Sequence, residues 1–125
     1  IADSMLGVGK ILLRKQQGNV HFNEEIYANI DLMFSYVEKS VESMLKVLND
    51  IENVEERDII ASYNREREIN NLRNQLRTTN VENINDRHYE YQSGIYYMDI
   101  INTLEKAGDY IINVTDTIRD EFRHR

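Results

Sequence analysis

Two acidic side chains near the C-terminal end of the sequence, Glu105 and Asp109, have the spacing of a pair that can share one cation. Residues four apart lie on one face of a helix, and the stretch TLEKAGDYIIN around them reads as helical. Carboxylate oxygens are the ligands preferred by hard ions such as Mg²⁺, Mn²⁺, Ca²⁺ or ferric iron. Gly108 costs a helix interior about 1 kcal/mol relative to alanine, which indicates close approach by a neighbouring helix or a bound species.

The same spacing also arises by chance in an acidic chain. With 22 Asp and Glu residues in 125, six pairs are four apart, where about four are expected at helical spacing. The other pairs are 38/42, 52/56, 82/86, 86/90 and 116/120. Spacing alone therefore leaves a solvated surface as the alternative. The apolar neighbours of Glu105 and Asp109 favour a site at the edge of the core, where buried carboxylates need partners.

The composition is that of one all-helical domain. The chain is 41% hydrophobic and 30% charged, and it contains no proline and only five glycines, so long helices are expected. The net charge of −7 argues against nucleic acid as a partner. The absence of cysteine excludes disulfides, thiolate metal sites and a cysteine nucleophile. The sequence has no apolar run of the roughly 18 residues that a membrane span needs.

Helical periodicity predicts four helices, over about residues 1–17, 24–50, 54–78 and 87–122. Asn23 is the predicted N-cap of the second helix, with Phe22 and Tyr27 as a hydrophobic staple. Gly18 is the predicted C′ residue of the first helix. The spacing of Asn53 and Glu56 predicts a capping box for the third helix.

Apolar residues at steps of three and four mark the faces predicted to point inward. In the second helix they are Ile26, Ile30, Met33, Val37, Val41, Met44 or Leu45, and Leu48. In the third they are Ile60, Tyr63, Ile69, Leu72 and Leu76, and in the fourth Leu104, Gly108, Ile111, Ile112, Thr115 and Ile118. We expect an all-α fold: an up-down antiparallel three-helix bundle with an additional N-terminal helix alongside.

The stretch LEKAGDYIIN resembles the LERIGDHxxN signature of PhoU-like domains, which are three-helix repeats with an E-x-x-x-D motif on the third helix. Five positions match, namely Leu104, Glu105, Gly108, Asp109 and Asn113. Lys106 and Ala107 replace the usual arginine and isoleucine. The segments YANIDLMFSYVEKSVESMLKVL and EREINNLRNQLR are similar to the first and second helices of the same repeat.

The start of the chain, IADSML, resembles the end of the same motif in a preceding repeat, with Asp3 as its acid. Gly7 stands where the family has asparagine, so this copy departs from the pattern. The resemblance implies a single domain over 1–125, with the end of a truncated repeat at 1–18 and one complete repeat at 24–123. The chain begins without a methionine inside a helical pattern, which predicts a fragment cut within a helix.

PhoU-like domains occur as free phosphate-signalling regulators and as the cytoplasmic C-terminal part of bacterial sodium/phosphate cotransporters. The run YQSGIYYMDIINTLEKAGDY resembles the cotransporter version. The resemblance implies a non-catalytic regulatory domain at the cytoplasmic face of the membrane, with the transmembrane transporter portion of the same polypeptide as its partner. It also implies iron or another oxygen-preferring metal held by Glu105 and Asp109, with Asp3 as a third ligand.

Other interpretations stay open at this point. The protein could be a free-standing PhoU-type regulator, or a structural module that forms a homo-oligomer without metal. Glu121 and His124 have the E-x-x-H spacing of di-iron bundles, but such sites need a second copy of the motif. The arginines of the third predicted helix, Arg65, Arg67, Arg73 and Arg77, are predicted to pair with nearby glutamates on the surface.

Overall fold

The computed structural model describes residues 2–123, except for the side chain of Phe122. It contains four helices, α1 (Ala2–Gln17), α2 (Glu24–Asn49), α3 (Glu56–Asn85) and α4 (Tyr91–Arg123), with a 3₁₀ turn at Ile51–Asn53. No strand occurs in this described stretch, so the predicted all-α class is confirmed. Between residues 2 and 123, no helix is both long enough and apolar enough to cross a membrane.

The helices α2, α3 and α4 alternate in direction. Asn80 near the end of α3 contacts Gly94 near the start of α4, whereas Tyr63 near the start of α3 donates a hydrogen bond to Asp116 near the end of α4. These contacts make α3 and α4 antiparallel, as short connections require. The additional helix α1 packs against α4, which therefore contacts all three other helices.

The N-terminal end of α2 forms as its sequence predicts. The Asn23 side chain accepts a hydrogen bond of 2.8 Å from the backbone N–H of Ile26, which satisfies one of the free donors of the first turn. The rings of Phe22 and Tyr27 meet edge to face with centroids 5.5 Å apart, which confirms the staple. The ammonium of Lys15 lies 4.8 Å from the centre of the Phe22 ring and ties α1 to this corner.

Two other capping predictions were wrong. The residue with left-handed backbone after α1 is Asn19, with φ of 58°, rather than Gly18. The Gly18 N–H still bonds the carbonyl of Arg14, so the helical turn runs on by one residue before the chain reverses. The capping box of α3 is formed by Glu55 and Asp58 instead of Asn53 and Glu56.

The third helix is longer than predicted, because the polar stretch TTNVENIN continues it to Asn85. The hydroxyls of Thr78 and Thr79 bond the carbonyls of Asn74 and Gln75, four residues earlier, so these polar side chains are satisfied without leaving the helix. Arg87, with φ of 58°, then reverses the chain. The fourth helix consequently begins at Tyr91 rather than near residue 87.

The main core lies around the first half of α4. Four of its side chains are fully buried: Ile100, Ile101, Leu104 and Ala107. They pack with the predicted inward residues of α2 and α3, including Ile26, Met33, Val37, Ile69, Leu72 and Leu76. Two residues predicted to point inward do not: Ile60 is 51% exposed and its neighbour Ile59 is buried instead, and Leu48 is also exposed.

A second, smaller apolar cluster closes the opposite end of the bundle, and it consists of Val47, Val54, Ile59 and Ile118. Beside it, the Tyr63 hydroxyl bonds the Asp116 carboxylate, and the Arg119 guanidinium lies 5.7 Å from the centre of the Tyr63 ring. Burial raises the pKa of Tyr63, and the Asp116 carboxylate raises it further. The bundle therefore has one large core and one separate terminal cluster.

The junction of α3 and α4 is built around a buried asparagine. The side-chain amide of Asn80 donates to the Gly94 carbonyl at 3.4 Å and accepts from the Tyr89 hydroxyl. A Cβ on Gly94 would lie 2.5 Å from Ile84 Cδ1 and 2.9 Å from Asn80 Oδ1. Glycine at position 94 thus lets two helices meet at a polar contact that is already satisfied.

We expect Gly94→Ala to lower the free energy of unfolding by about 1–2 kcal/mol, because overpacking exceeds the gain in helix propensity. Gly9→Ala is the matched control: apart from its own helical backbone and its two chain neighbours, no atom lies within 4 Å of its added Cβ. There we expect an increase of about 0.5–1 kcal/mol. Urea denaturation followed by circular dichroism measures both values, and equal effects of the two changes would contradict this account of Gly94.

Candidate functional site

Glu105, the first member of the acidic pair, lies where α4 faces α3 and is already paired. Arg73 Nε lies 2.6 Å from Glu105 Oε2, with side-chain exposures of only 23% and 14%. Neither atom makes a well-aligned hydrogen bond to a described residue, so the contact is an ion pair without the geometry of a hydrogen bond. The predicted pairing of the arginine cluster thus occurs for Arg73 across two helices rather than on an open surface.

Close helix packing explains the glycine within the motif. A Cβ on Gly108 would lie 3.3 Å from Cδ1 and 3.5 Å from Cγ2 of Ile69, which belongs to α3. Gly108 is itself buried. Close approach by a neighbouring helix therefore accounts for Gly108, which is one of the two explanations that the sequence predicts. The same close approach brings Arg73, one turn beyond Ile69, within reach of Glu105.

The charges around Glu105 oppose one another. Burial raises the pKa of Glu105 above its usual value of 4.5, and the carboxylates of Asp109 and Glu66 raise it further. The guanidinium groups of Arg73 and Arg77 act in the opposite direction, but the pKa stays raised. The seam between α3 and α4 therefore carries a compact set of mixed charges in which the side chain of Glu105 is only 14% exposed.

Only one of the three predicted metal ligands lies in this seam. Asp109 is exposed, which corrects the expectation that both acids of the pair point inward. Asp3 is exposed in the first turn of α1 and is not among the charges that shift the pKa of Glu105. Across residues 2–123 no group of three or more His, Cys, Asp or Glu side chains is placed to hold a metal ion.

A metal does not fit this arrangement without a change, because Arg73 holds the carboxylate that the metal would need. The metal assignment for Glu105, Asp109 and Asp3 therefore stays a prediction. The alternative E-x-x-H pair cannot be placed, since His124 lies outside the described residues.

Arg73 is the site residue that sequence reasoning missed as the partner of Glu105. The sequence places it on one face of α3 with Ile69, four residues away, and with Arg77. Its distance to Glu105 depends on the register of two antiparallel helices, which local patterns do not set. Among the other arginines of the cluster, Arg65 pairs within its own helix with Glu68 at 3.5 Å, as predicted.

The fold is an antiparallel helical bundle with an acidic E-x-x-x-D pair on its last helix. A family model for the PhoU domain matches residues 30–118, well over half of the chain. The chain belongs to the PhoU family, which is a regulatory and non-enzymatic family. No curated protein and no solved structure matches it significantly. The matched residues fall within the predicted repeat of 24–123, and the assignment of 1–18 to a preceding repeat stays a prediction.

The pKa of Glu105 provides a direct test of this electrostatic arrangement. We expect Arg73→Met to raise it further and Asp109→Asn to lower it, since these groups act in opposite directions. Carbon-13 NMR titration of the side-chain carboxyl groups measures both shifts, with the exposed Glu38 as an internal reference. Because the folded-state pKa is raised, the stability that Glu105 contributes increases as the pH falls from this pKa toward 4.5. A Glu105 pKa that is unchanged in both variants would contradict the arrangement.

Proposed function

We propose that this protein is a non-catalytic regulatory domain that modulates phosphate uptake by a sodium-dependent transporter. The observation that carries the proposal is the PhoU match over residues 30–118, with the acidic pair of the family motif on α4. The resemblance of YQSGIYYMDIINTLEKAGDY to the cotransporter version favours the transporter over a free regulator. The partner would be the transmembrane portion of the same polypeptide, with the domain at the cytoplasmic face of the membrane.

The α3–α4 seam offers a physical route for regulation. Arg73 and Glu105 meet near the middle of both helices, and α4 also contacts α1 and α2. A ligand or partner that competes for either charge would favour a different packing of α3 against α4. Because packed helices shift as units, such a change would reach the ends of the bundle where a transporter can sense it. This proposal assigns no chemical step to the domain.

Uptake of radiolabelled phosphate in cells that carry the intact gene product tests the function. We expect Glu105→Ala with Asp109→Ala to alter sodium-dependent uptake, because the double change removes the carboxylate that pairs with Arg73 and the exposed acid beside it. Glu38→Ala with Glu42→Ala is the matched control, since it removes an exposed acid pair of the same spacing on α2 and should leave uptake unchanged. Thermal melts of both variants separate a regulatory effect from loss of the fold.

The same two double variants distinguish the alternatives when gene expression and oligomeric state are measured as well as uptake. A free-standing PhoU-type regulator would show altered phosphate-dependent gene expression without a change in the sodium dependence of uptake. A structural self-association module would show neither effect, and its homo-oligomer would persist in both double variants. Uptake that responds equally to the α4 pair and to the α2 control pair would refute the proposed role of the seam.

The predicted metal, iron or another oxygen-preferring ion, has its own test. A metal on Glu105 has to displace Arg73, so we expect Arg73→Met to bind Mn²⁺ or Fe³⁺ about tenfold more tightly than the wild type. Arg67→Met, which removes an exposed arginine from the same helix, is the control. Metal content by mass spectrometry and titration calorimetry give the comparison. Retention of metal after Glu105→Gln with Asp109→Asn would exclude these residues as ligands.

A further inference from the structure

A groove between α1 and α4 gathers positive charge in an otherwise acidic protein. The two helices approach closely at Gly7, where an added Cβ would lie 3.1 Å from Thr103 Cγ2. Beside this contact the helices enclose a groove of about 500 Å³. Its polar lining comes from one face of each helix: Lys10, Arg14, Asp99, Asn102, Thr103 and Lys106.

The three cations of the groove have no protein partner in the part of the chain that the structure describes. Lys10, Arg14 and Lys106 are exposed and form no ion pair there, whereas four other arginines do: Arg57, Arg65, Arg73 and Arg119. The chain has seven more acids than bases, so acidic partners are abundant elsewhere. Only one acid, Asp99, lines the groove. Its formal charge is therefore +2 on a molecule of net charge −7.

The groove also contains an amide with unused hydrogen-bonding capacity. Asn102 Oδ1 is buried and has no hydrogen-bond partner among the described residues. A carboxamide carries an acceptor at one end and two donors at the other, and a rotation about its last bond exchanges them. Thr103 differs, because its hydroxyl already donates to the Asp99 carbonyl at 2.7 Å. Asn102 thus lines the groove with an amide whose hydrogen-bonding capacity is not fully used.

We propose that this groove binds a phosphate group through Lys10, Arg14 and Lys106, with the Asn102 amide as an additional donor. Arginine offers planar paired donors and lysine a compact charge, and both bind phosphate oxygens by charge-assisted hydrogen bonds. Three cations from two helices match a compact polyanion better than a single carboxylate. The group can belong to free phosphate or to a phospholipid headgroup. The inference supplies a ligand for the proposed regulation and in that respect rests on it.

Titration of the purified chain with inorganic phosphate, followed by proton–nitrogen NMR spectra, tests the site at low ionic strength. We expect saturable shifts centred on residues 10–14 and 99–106. Sodium chloride at matched ionic strength should not produce them, because simple screening acts on all exposed charges. Shifts of the same size and location with chloride would overturn the proposal.

Substitutions give matched comparisons. We expect Lys10→Gln with Arg14→Gln to weaken phosphate binding about tenfold or more, since two charge-assisted contacts are lost. Lys39→Gln with Arg67→Gln removes two exposed cations outside the groove and should have little effect. Asp99→Asn should tighten binding, because it removes the acid of the groove. Equal losses in the two double variants, or no gain from Asp99→Asn, would count against the site.

Vesicles distinguish the two sources of the phosphate group. Binding to phosphatidic acid vesicles that depends on Lys10 and Arg14, without binding of free phosphate, would support the site and assign it to a headgroup. Absence of binding to both ligands would overturn it. If neither ligand binds but the Glu105 and Asp109 variants still alter uptake, the phosphate site is refuted and the regulatory proposal stands. If phosphate binds normally but those variants leave uptake unaltered, the regulatory proposal is refuted and the phosphate site stands.

Discussion

Burial of one helix among three others is the constraint on which this structure depends. The side chains of Ile100, Ile101, Leu104 and Ala107 are fully buried, and α4 contacts α1, α2 and α3. A helix in this position buries apolar surface against several neighbours, which drives folding more strongly than helix propensity does. The polar side chains of α4 lie on its remaining face, with Glu105 at the boundary with the core and Asp109 exposed.

The charged seam beside this core shows how packing decides the state of an acid. Gly108 lets Ile69 approach, and the approach places Arg73 against Glu105. An enclosed carboxylate needs a compensating charge, and here Arg73 of α3 supplies it. The raised pKa of Glu105 shows that the compensation by Arg73 and Arg77 is smaller than the effects of burial and of the nearby acids. Glu105 is therefore sensitive to any further cation in the seam.

The sequence was sufficient for features that depend on local contacts. The Asn23 cap and the Phe22–Tyr27 staple involve residues within about one turn, and both formed as predicted. The inward stripe of α2 repeats at steps of three and four, and it is confirmed for Ile26, Met33 and Val37 but not for Leu48. The end of α3 was wrong because the Thr78 and Thr79 hydroxyls bond within the helix, an option that polarity alone does not reveal. Ile59 and Ile60 were confused because neighbouring residues differ by about 100° around a helix.

The site was less predictable than the fold, because the angle of a residue around its helix decides whether its side chain is enclosed. Residues four apart on a helix are offset by about 40°, so Glu105 can be enclosed while Asp109 faces solvent. The partner of Glu105 lies on another helix, and its identity follows from the register of α3 against α4. That register depends on Gly108, Gly94 and the side chains that they admit, which no periodicity in a single helix encodes.

The division of the apolar interior into two clusters has a consequence for motion. The small cluster of Val47, Val54, Ile59 and Ile118 holds the tip of the α2–α3 hairpin against the end of α4, apart from the main core. A tip with so few apolar contacts can detach in a local opening while the rest of the bundle stays intact. Amide hydrogens there should then exchange with solvent sooner than those around Leu104, so one end of the bundle is less stable to local unfolding than its centre.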